Sequence, residues 1–132
     1  MQVVGLFREL TREKQAFLPS IIEAKGKLSA KEAVQVVAYL RKGVPVFDVM
    51  EATPDPFEPK TFVKGGPSLL SDGYWVWRED LAHYVERYQV GLPSQFLAHV
   101  QQSGSSVGDE SAIVARWEDA LTAYEQTESG RG

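Results

Sequence analysis

Apolar residues keep a helical spacing as far as Leu40, alternate from Val44 and again around Trp75, and return to helical spacing after Glu79. Val3, Val4, Leu6, Phe7 and Leu10 share one side of a short N-terminal helix, with Arg8, Glu9, Arg12 and Glu13 opposite. Pro19 opens a second helical segment through Ile21, Ile22 and Ala24, closing at Gly26. Ser29 and Glu32 have the spacing of a capping box, and Ala33, Val36, Val37 and Leu40 continue as one stripe, which predicts a helix over 30–42. Val44, Val46, Asp48 and Met50 then alternate with Pro45, Phe47, Val49 and Glu51 as a strand does. Pro54, Pro56 and Pro59 predict a loop over 52–60 with Phe57 turned to the core, because each proline lacks a donor and restricts its predecessor. Thr61–Lys64 is a candidate short strand, and Gly65-Gly66 is a turn without the spacing of a phosphate loop.

The stretch 68–88 organises the rest. Asp72-Gly73 stands between Leu69-Leu70 and Tyr74-Trp75-Val76-Trp77, which predicts a hairpin with a type I′ turn centred on Asp72 and Gly73. Trp75 and Trp77 share one strand face, and Tyr74 and Val76 the other. Leu81, Tyr84, Val85 and Tyr88 then mark a helix with His83, Glu86 and Arg87 outward. Glu79 or Asp80 is placed to cap its start, and Gly91 to close it in a left-handed conformation.

Beyond it, Phe96, Leu97 and Val100 predict a short helix after Pro93. QQSGSSVGDE (101–110) has no period and predicts a flexible connector. Ile113, Val114, Trp117, Leu121 and Tyr124 form the stripe of a last amphipathic helix. The expected class is α+β: a small antiparallel sheet of about three to four strands, covered on one face by about five to six helices. Its parts are a single domain over 1–103, a connector over 104–110 and a docked helix over 111–126.

The chain's 132 residues, 43% of them apolar, suffice for one domain with a real core. No apolar run reaches the ~20 residues of a membrane span and the N-terminus does not resemble a signal peptide, so a cytoplasmic protein is expected. The absence of cysteine excludes disulfides, thiolate nucleophiles and cysteine zinc sites. Charge is lopsided: residues 1–65 hold ten Lys/Arg and eight Asp/Glu (+2), and residues 66–132 hold four and ten (−6). An acidic half repels phosphate backbones, which excludes nucleic acid as its partner and favours a basic protein.

Candidate chemistry is sparse. His83 and His99 lie on separate helices with no second ligand at i+4, so neither a metal nor a cofactor is expected, and His99 has the position of a boundary residue. No serine stands in a nucleophile elbow. Asp72, Glu79, Asp80 and Glu86 surround the hairpin, but turn, cap and wet-face roles account for them without catalysis. The aromatic residues suit a core, with Tyr74 the best exposed contact.

Asp72-Gly73, Trp75, Trp77, Asp80-Leu81, Tyr84, Tyr88, Leu92-Pro93 and Phe96-Leu97, within 65–100, resemble a signature of small bacterial proteins. That family in turn resembles the immunity proteins that accompany polymorphic toxins. The resemblance covers about a quarter of the chain and rests on structural residues. Together with the −6 half and the aromatic residues, it leads to the expectation of a non-enzymatic protein-binding domain, monomeric or weakly dimeric, that covers a basic site on a partner. Asp72, Tyr74, Glu79 and Glu86 are the expected partner-binding residues. The alternatives are a small hydrolase or small-molecule-binding enzyme, with His83 or an acid as base in a pocket beside the hairpin, and an oligomeric structural protein.

Overall fold

The computed structural model describes residues 1–11, 14–104 and 107–130. In chain order these form β1 (Gln2–Val3), a short 3-10 helix (Arg8–Leu10), α1 (Ile21–Ala24), α2 (Ala30–Arg41), β2 (Val44–Phe47), β3 (Ala52–Pro54) and β4 (Phe62–Lys64). Then follow β5 (Leu69–Ser71), β6 (Trp75–Arg78), α3 (Leu81–Tyr88), α4 (Ser94–Ser103), α5 (Glu110–Ala115) and α6 (Trp117–Ser129). The fold is α+β with a small sheet, as the periodicity predicts.

The sheet runs β1-β6-β5-β2, and β3 and β4 make a separate two-stranded ribbon. β5 and β6 are the expected hairpin, with Leu70 opposite Trp77 and Ser71 opposite Val76. The sheet is mixed, not purely antiparallel, because β1 pairs parallel to β6. Trp75 and Trp77 face a core built with Tyr39, Leu40, Tyr84 and Phe96. Burying each such aromatic ring contributes on the order of 2–3 kcal/mol. Val76 and Leu69 face the other way and are covered by Ala120, Leu121 and Tyr124 of α6. Helices therefore cover both faces, and β6, flanked by strands on both sides, is buried along its whole length.

Local signals hold where neighbouring residues satisfy one another. Ser29 and Glu32 form the full capping box of α2, each side chain bonded to the other residue's backbone amide. They fail where a distant element competes. The expected N-terminal helix is instead β1: Gln2 and Val4 donate to the carbonyls of Tyr74 and Val76, and Gly5 breaks any helix at φ +71°. A Cβ there would lie 2.5 Å from Leu81 side-chain atoms. Part of that expected helix, Arg12 and Glu13, lies outside the described residues. The β2 strand stops at Phe47 after an irregular register and leaves Met50 in solvent. Ala52–Pro54, expected in a loop, pairs with β4 as a strand, and its proline stands at the strand's end.

At the hairpin the turn is shifted by one residue. Asp72 donates its amide to the Trp75 carbonyl, so Gly73 and Tyr74 are the central pair. Only Gly73 has positive φ (+94°), the pattern of a type II′ turn, not type I′. Neither Glu79 nor Asp80 caps α3 through its side chain, because the Asp80 carboxylate is held by Arg78. Gln89, not Gly91, takes the left-handed conformation at the end of α3. Gly91 is required for another reason: a Cβ there would lie 2.7 Å from Lys27 Cβ.

α4 runs through the aperiodic residues 101–103 and ends at Ser103, where the expected domain ends, and connector residues 105 and 106 lie outside the described residues. The last helix is two. The chain breaks at Arg116, and the break turns Val114 and Trp117 of the expected stripe outward.

Candidate functional site

Buried carboxylates organise the polar chemistry. The turn shift points Asp72 inward, leaving its side chain only 1% exposed. One oxygen, Oδ1, accepts from the backbone amides of Tyr74 (2.9 Å) and Trp75 (2.7 Å), an Asx arrangement that fixes the turn. The other, Oδ2, accepts from the Tyr39 hydroxyl (2.5 Å) and from His99 Nε2 (2.7 Å). A carboxylate accepts only, so Nε2 carries a proton. Burial, and after it the Asp72 carboxylate, push the Tyr39 phenol well above the usual tyrosine range, so it stays a donor. Tyr39, Trp75 and Phe96 surround the imidazole, and Tyr74 meets it edge-on at 5.7 Å.

Asp55 repeats the pattern in the proline-rich segment. It accepts from the amides of Phe57 and Glu58, from the Tyr88 hydroxyl (2.7 Å) and from His83 Nε2 (2.9 Å). Burial alone lifts Asp55, but the bonds from His83, Tyr88 and the two amides outweigh it and hold the carboxyl below its ordinary range. Burial, and after it the bond to Asp55, pushes the Tyr88 phenol up to about 12.

The third buried acid is Asp80. Its oxygens take Arg78 Nε (3.1 Å) and Nη2 (2.8 Å), and Arg78 Nη1 donates to the Leu10 carbonyl. Burial raises the Asp80 carboxyl against the pull of Arg78, whose own charge is held by that carboxylate.

The expected partner-binding residues do not form one patch. Asp72 is the clear correction: every part of its carboxylate is engaged inside the protein, so it cannot contact a partner. Tyr74 is 71% exposed at the tip of the hairpin. Glu79 is exposed at the other end of β6, about 16 Å along an extended strand from Tyr74. Glu86 is exposed on α3 and paired with Arg41 at 3.0 Å. His99 is half-buried, as a boundary residue should be, while His83, expected on an outer face, is half-buried too; each is bonded to an aspartate.

The surface beside Tyr74 was not legible in the sequence. Arg116 Nη1 donates to the Gly73 carbonyl at 2.9 Å, which seats the α5–α6 junction against the turn. That junction carries Val114 (43% exposed) and Trp117 (41%), flanked by exposed Asp109, Glu110, Glu118 and Asp119. Tyr74, Val114 and Trp117 thus belong to one end of the molecule, on backbone held by Asp72 and Arg116.

A carboxylate-oriented imidazole is half of a general-base device. Among the described residues, Tyr39 is the only hydroxyl bonded to His99 apart from the carboxylate itself, and Tyr39 is kept protonated. His83 is hydrogen-bonded, among the described residues, to Asp55 alone. Among the described residues no group of three or more His, Asp or Glu side chains is placed to hold a metal, and no helix is long and apolar enough to cross a membrane. No protein-family model, curated protein or solved structure matches this chain.

Proposed function

We propose that this is a non-enzymatic binding module, of the kind that toxin-neutralising immunity proteins represent, and that it covers a basic surface on a protein partner. Its contact surface is the end of the molecule where the β5–β6 turn meets the α5–α6 junction. The observation that carries this is the Arg116–Gly73 bond, which brings the turn bearing the exposed Tyr74 against the junction bearing the exposed Trp117 and the acids Asp109, Glu110, Glu118 and Asp119. Exposed aromatic residues on rigid backbone are favoured anchors, because they bury much area at low entropic cost. Carboxylates around them attract a cationic partner and speed its encounter. Between residues 107 and 130 six acids stand against one base, Arg116.

The test is capture from native lysate on the immobilised protein, at low and high salt, with two variants in parallel. Tyr74→Ala with Trp117→Ala is expected to weaken retention of a basic protein at least about tenfold through faster dissociation. Glu110→Lys with Glu118→Lys is expected to slow association about tenfold at low salt and little at high salt. Unchanged kinetics in both variants, or no basic protein retained at any salt, refutes the assignment.

A further inference from the structure

We infer that the cavity between α6 and the outer face of the sheet binds an organic cation, an ammonium or guanidinium on an aliphatic stem. The cavity measures about 400 Å³, within the span of small-molecule sites. Phe47, Val49, Leu69 and Leu121 make its walls, a surface that suits methylene groups.

Its polar groups decide the charge of the occupant. Arg78 lines the cavity, but its guanidinium is already neutralised by two bonds to Asp80 and anchored on the Leu10 carbonyl, so it does not call for an anion. The carboxylates of Glu51 and Glu128 remain, and Tyr124 donates its hydroxyl to Glu128 at 3.3 Å. Ser129, the last residue of the 13-residue α6, also lines the space, and the carbonyl end of a helix adds partial negative charge. Among the described residues no Lys and no Arg other than Arg78 lines it. A slot whose described lining combines apolar walls with anionic groups and offers no available cation is complementary to an alkyl amine or alkyl guanidine.

This site is distinct from the proposed partner surface. It lies at the Leu69–Arg78 end of the hairpin, away from the turn that carries Tyr74, and its test needs no partner. The same chemistry has two sources, a free amine or a basic side chain presented by another protein. Amide-resonance NMR titrations of the full chain with agmatine, cadaverine and doubly blocked arginine separate them, with pentanediol and glutarate as neutral and anionic controls.

Saturable shifts at Glu51, Tyr124 and Glu128 are expected with the cations and not with the controls. Glu51→Gln with Glu128→Gln should weaken binding at least about tenfold without loss of fold. Glu51→Gln alone, at an exposed side chain, keeps the test decisive should the double variant unfold. Binding of free amines only, or of blocked arginine only, identifies the source. Absence of saturable shifts, equal shifts with pentanediol, or undiminished binding by the glutamine variants overturns the inference.

Discussion

Asp72 and Asp55 collect the same four donors, a tyrosine hydroxyl, a histidine nitrogen and two backbone amides, but they draw them from different sets of elements. Around Asp72, Tyr39 comes from α2 and His99 from α4, so one carboxylate ties two helices to the hairpin turn. Around Asp55, His83 and Tyr88 both come from α3, so the carboxylate pins a surface loop to one helix. Equal local chemistry therefore serves two structural ends. The first cluster sets the tertiary arrangement that holds Tyr74 outward over His99. The second orders the segment between β3 and β4, where Phe57 stacks on Tyr88 at 4.1 Å.

The comparison is broken most directly by removing each acid. Asp72→Ala strands four donors that belong to the hairpin turn and two helices and is expected to cost about 3 kcal/mol or more; Asp55→Ala strands four donors of one loop and one helix, which can part locally, and should cost about 2 kcal/mol. Chemical denaturation measures both, and equal losses would remove the distinction. Amide exchange adds a second check. Asp55→Ala should release the 55–61 segment locally, whereas Asp72→Ala should lower protection in α2, α4 and the hairpin together.

Acid titration sharpens the comparison further. The folded Asp55 carboxyl sits below its ordinary value, so its stabilising contribution is fully present above the unfolded value of about 4 and is lost as pH falls through the lower folded value. The difference in Tm between the native chain and Asp55→Asn should therefore be constant above about pH 4 and shrink below it. A difference that instead grows on acidification contradicts the assigned direction.

The smallest effect comes from a tyrosine that has no carboxylate. Tyr84 is fully buried beside His83, and its hydroxyl has no partner among the described residues. Tyr39→Phe removes a bond to a charged acceptor and should cost about 1.5–3 kcal/mol, whereas Tyr84→Phe relieves an unpaired hydroxyl and should leave stability unchanged or raise it by about 1 kcal/mol. Thermal melts of the two variants decide it, and a loss in Tyr84→Phe as large as in Tyr39→Phe would mean that the Tyr84 hydroxyl has a partner.

Much of the fold was legible in the sequence, and little of the site. α2, α3 and the hairpin announce themselves because their signals lie within a few residues. Asp72 was misassigned because Asp-Gly fits the centre of one hairpin turn and the entry of another, and the one-residue difference decides whether the carboxylate faces water or the core. The histidines carried no signal at i+4, since their partners stand 27 and 28 residues away. One usable clue was present: Asp55-Pro56-Phe57 and Asp72-Gly73-Tyr74 both place an aspartate two residues before an aromatic, the spacing at which its side chain takes the following amides.

Residue order by itself determined that this chain is an α+β domain, with a capped α2, an aromatic hairpin and an acidic second half. Periodicity, caps and turns act between close neighbours, and charge is additive. Only the tertiary structure decided that the N-terminus becomes a strand, that the last helix breaks at Arg116, and that Asp72 turns inward while Tyr74 and Trp117 share one end. Those outcomes depend on a strand edge, a buried carboxylate or a turn carbonyl meeting a partner far along the chain, and no local pattern encodes such a meeting.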